Sequence, residues 1–62
     1  MTFKVFEGDF GWKARFDERT DGTVHGTVVT CDSFVIWDKE FPSMEVAMTR
    51  FYRSWPNMRE VA

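Results

Sequence analysis

A single cysteine, Cys31, and a single histidine, His25, set the terms on which this chain can fold. Domains of about 60 residues bury only about 60% of the surface that their unfolded chains expose, so they commonly depend on disulfides, a metal or a partner. The 62 residues have room for one domain, residues 1–62. One thiol cannot form an internal disulfide, and one thiol with one imidazole falls short of a structural zinc site. Dense packing or oligomerisation remains. Seven Phe, three Trp and one Tyr suit both.

The patterning predicts strands followed by a helix. Phe3, Lys4 and Val5 alternate apolar and polar, which reads as a short strand within residues 2–6. Next, "FGWKARFD" places Phe10, Trp12, Ala14 and Phe16 on one face and Lys13 and Arg15 on the other. Asp21-Gly22 is a strong turn dipeptide. "TVHGTVVT" then sets Val24 and Val28 against His25, Thr27 and Val29. "SFVIWD" is apolar both ways: strict alternation sends Phe34 and Ile36 to one face and Val35 and Trp37 to the other.

The helix is well punctuated. Ser43 follows Pro42 as an N-cap, and Glu45 favours the positive end of the helix dipole. Met44, Ala47, Met48, Phe51 and Trp55 form one apolar stripe, and Pro56 stops the helix. The expected fold is therefore α+β: a three- or four-stranded antiparallel meander with one C-terminal helix packed on one face. The tail "NMREVA" is too short to assign.

One helix leaves the other sheet face uncovered. The alternation puts Val29, Val35 and Trp37 there, with Phe6 as a further candidate. Apolar surface on an open sheet marks an interaction site. The expected partners are a second copy, giving a homodimer with Trp37 as anchor, and a heterologous protein.

Catalytic chemistry finds little support. Cys31 and His25 lie six residues apart, about 20 Å along a strand, too far to act as nucleophile and base within one subunit. The carboxylates Asp17, Glu18 and Asp21, and Asp38 with Glu40, read as solvated turn residues rather than as an acid/base pair or a cation site. The four glycines match no phosphate-binding spacing. The expectation is no enzyme, no cofactor and no metal.

The formal charge of −2 is not that of a typical nucleic-acid binder. The alternative reading, a small nucleic-acid-binding regulator, rests on Lys13, Arg15 and His25 lying on one sheet face. Trp12 and Phe16 belong to the opposite face from Lys13 and Arg15, so cation and ring are expected not to share a surface, as base stacking beside a cation would need. No apolar run approaches the roughly 20 residues of a membrane span. The free thiol and the N-terminal sequence, which does not resemble a secretory leader, suggest a cytoplasmic protein. Gly26 interrupts its strand, where a bare backbone accommodates a bulge or a neighbouring aromatic ring; packing is the preferred reading.

Asp21-Gly22, "HGTV" at 25–28, "DSFVIW" at 32–37 and "PSMEVAMTRF" at 42–51 together resemble the N-terminal domain of HicB-type antitoxins. That resemblance covers most of the chain. It implies a partial ribonuclease-H-like fold without nuclease activity that binds and blocks a small toxin and commonly dimerises. HicB antitoxins usually continue into a DNA-binding domain that these 62 residues do not contain. The implied role is thus the protein-binding module, antitoxin-like or a small phage- or plasmid-type inhibitor of another host protein.

Overall fold

Asp21-Gly22 closes a tight hairpin between β2 (Lys13–Glu18) and β3 (Val24–Val29). Gly22 takes the left-handed φ of 89° that the turn requires. The Asp21 carboxylate accepts hydrogen bonds from the backbone N–H and hydroxyl of Thr23, an Asx-type turn that sets the hairpin register. The computed structural model describes residues 2–62. It adds β1 (Phe3–Glu7), β4 (Val35–Phe41), α1 (Met44–Ser54) and a two-residue β5 (Arg59–Glu60).

The five strands form one antiparallel sheet in the order β4-β3-β2-β1-β5. The C-terminal segment, unassigned from sequence, docks beside β1. Val61 N–H donates to the Val5 carbonyl (2.8 Å), and Val5 N–H donates to that of Ala62 (2.7 Å).

The helix packs on one sheet face as its stripe predicts. Ser43 caps it, its hydroxyl accepting from Val46 N–H at 3.3 Å. Ala47 and Phe51 are fully buried, and Met44, Met48 and Trp55 pack partly buried against the same core. Phe6, Phe16 and Phe51 meet at the centre, with ring centroids 4.7–5.9 Å apart, distances at which edge-to-face and tilted aromatic pairs are favourable.

Three expectations are corrected here. Trp37 does not stand on the open face: it packs against the core, 6.2 Å from the rings of both Phe16 and Phe51. The cause is a bulge. Val28 pairs with Trp37 while the next residue, Val29, pairs with Val35, so Ile36 is the extra residue. A bulge resets the alternation, sending Val35 and Trp37 to opposite faces. Phe34 and Ile36, expected in the core, are exposed instead. Phe6 likewise belongs to the core and not to the open face.

Phe10 also departs from its expected strand. It lies in a short turn, Asp9–Gly11, with a φ of 63° and 87% exposure. Gly11 follows at φ 76°, and β2 starts only at Lys13.

Candidate interaction surface

The register of the four longer strands lays out the face away from the helix, because residues directly opposed in a sheet share a face. One row runs Val35, Val29, Lys13, Glu7 across β4 to β1; the next runs Asp38, Thr27, Arg15, Val5; the third runs Glu40, His25, Asp17, Phe3. Val29 and Val35 are therefore neighbours on the open face, as expected, and Val35 is 58% exposed. Phe3 and Val5 supply apolar surface at the opposite side of this face. Their placement depends on the β1–β2 register, which the sequence did not declare.

Lys13, Arg15 and His25 share this face as expected. Two of the three have a carboxylate partner. Arg15 pairs with Asp17 (3.0 Å), and His25 Nε2 is hydrogen-bonded to Asp38. At the end of the third row Arg19 is bonded to Glu40. The Arg19 hydrogen bond holds the Glu40 carboxyl below the usual range, and Glu40 in turn raises the Arg19 guanidinium. Asp21, at the hairpin tip, is lowered chiefly by its two bonds from Thr23. These groups are solvent-exposed, so each pair orders side chains more than it stabilises the fold.

An aromatic ring does share this face with a cation. The Arg15 guanidinium lies 4.7 Å from the centre of the Phe3 ring. Trp12 and Phe16 remain on the helix side, packed within or against the core. Asp38 and Glu40, expected in a turn, extend β4 on the open face. Cys31 is exposed in the β3–β4 loop, its Cβ beneath Gly11. Among the described residues no three His, Cys, Asp or Glu side chains gather as metal ligands would, and no helix is long and apolar enough to cross a membrane.

The arrangement defines an α+β domain with one face under a helix and one open face of alternating apolar and paired charged groups. Comparison with protein-family models, curated proteins and solved structures finds no match.

Proposed function

We propose that the chain is a non-enzymatic protein-binding module, antitoxin-like or inhibitor-like, which contacts its partners and a second copy of itself through the open sheet face. The observation that carries this reading is the Val29–Val35 pair, apolar and accessible beside Lys13, at one corner of a face whose middle is polar and charged. Cations and carboxylates alternate across that face. A two-fold axis lying between a cation and a carboxylate of that face would set unlike charges opposite each other, as a self-complementary interface requires.

The ion pairs favour this reading over the nucleic-acid one. Arg15 and His25 each have a carboxylate at hand, which offsets the positive field a phosphate backbone would need. The Asp-Gly turn, Gly-x-Val strand and Ser-capped helix are the pieces that resemble HicB-type domains, and they are compatible with the antitoxin-like form of the proposal.

Amide correlation spectra recorded from micromolar to millimolar protein test the proposed surface. Resonances of Thr27, Val29 and Val35 should move with concentration while those along α1 stay fixed. Movement confined to α1 would place the contact on the wrong side of the molecule. Binding of a single-stranded oligonucleotide that collapses between low and moderate salt would favour the nucleic-acid reading instead.

A further inference from the structure

A second surface lies away from the open face, where the Asp9–Gly11 turn meets the end of α1 and the segment after it. Phe10, Trp12, Trp55 and Met58 line a hollow of about 310 Å³ there, and Asp9 is its one charged lining residue. Trp12 and Trp55 stand edge to face, their centroids 5.6 Å apart at 70°, and form a corner.

A locally unfavourable backbone conformation lies at this hollow. Phe10 is held at φ 63° with its ring 87% exposed, a conformation that a bulky side chain rarely adopts. Departures of this kind gather where the local structure serves something other than stability.

The chemistry of the lining names a guest. Aromatic faces carry negative electrostatic potential and hold cations when several surround one space. Asp9 adds a full negative charge, and it takes part in none of the four ion pairs among the described residues. No Lys or Arg of the chain lines the hollow. We infer that this hollow is a receptor site for the cationic end of a lysine or arginine side chain from a partner protein, seated against Phe10, Trp12 and Trp55 with its charge toward Asp9. The inference rests on the reading of the chain as a protein-binding module, to which it adds a second point of contact and the character of the residue received.

Nuclear magnetic resonance titration tests it. The probes are tetramethylammonium chloride and N-acetyl-lysine methylamide, with tert-butanol as the uncharged counterpart. The chain's three Trp residues provide three indole N–H signals. Those of Trp12 and Trp55 should shift with the cations and that of Trp37, in the core beyond the hollow, should not. Asp9→Asn and Phe10→Ala should each weaken the cation about fivefold. Both positions are exposed, so the fold should survive either change. Equal binding of tert-butanol, equal shifts at Trp37, or no shift with either cation would overturn the site. Because the probes are small molecules, that result would leave the open-face contact to be judged by its own concentration series.

Discussion

Phe16 lies across Gly26. The two residues are directly opposed between β2 and β3, and the ring occupies the space where a Cβ on Gly26 would stand, 2.7 Å from Cδ2 and nearer still to Cε2. The glycine in the middle of a strand is thus a seat for an aromatic ring whose other side meets Phe51 at 4.9 Å. Gly26→Ala should cost about 1–3 kcal/mol by overpacking. Combining it with Phe16→Leu should cost less than the sum of the two single changes, since the smaller side chain vacates the contested space. Chemical denaturation of the two single variants and the double variant measures this coupling.

Phe51→Ala should be the most damaging helix substitution. Phe51 is fully buried and touches Phe6, Phe16, Trp37 and Tyr52. A loss of about 3–5 kcal/mol is expected, enough to unfold much of a domain this small. Thermal unfolding followed by circular dichroism reads it directly.

Trp37→Ala separates core from interface. Because Trp37 packs on Phe16, Phe41 and Phe51, the change should lower stability by about 3 kcal/mol. The loss should be the same at every protein concentration. A loss that vanished on dilution would mean that Trp37 is shared with a second copy.

Acid should weaken the fold modestly. The Asp21 and Glu40 carboxyls are held below their ordinary range by Thr23 and Arg19, respectively. A depressed carboxyl contributes stability above its unfolded pKa, about 4, and loses it as pH falls through the lower folded value. The melting temperature should therefore be level above about pH 5 and decline below about pH 4. Glu40→Gln should remove part of that decline. A melting temperature that rose on acidification through this window would contradict the assignment.

Much of this architecture is legible in the residues because its signals are local. The helix declares its start with Ser43, its end with Pro56 and its buried side by the spacing of Ala47 and Phe51. The β2–β3 hairpin declares itself through Asp21-Gly22. The open face is half legible. Val29 and Val35 follow from alternation, but Trp37 does not, because the extra residue at Ile36 changes the parity without changing the composition. Phe3 and Val5 reach that face through the β1–β2 register. It passes through the irregular Asp9–Gly11 turn, whose left-handed Phe10 no dipeptide rule anticipates. The two residues of β5 are held by contacts more than fifty positions distant in sequence, which a short tail cannot advertise.

Sedimentation equilibrium of the unmodified chain beside Val35→Asp tests the open-face contact most directly. Val35 is exposed, so an aspartate there should leave the melting of the isolated fold nearly unchanged. The account predicts a mass that rises from the micromolar range toward twice the chain's 7.3 kDa as concentration increases, a rise that persists at moderate salt and is abolished by Val35→Asp. A 7.3 kDa species at every concentration, or a dimer that Val35→Asp leaves intact, would contradict it.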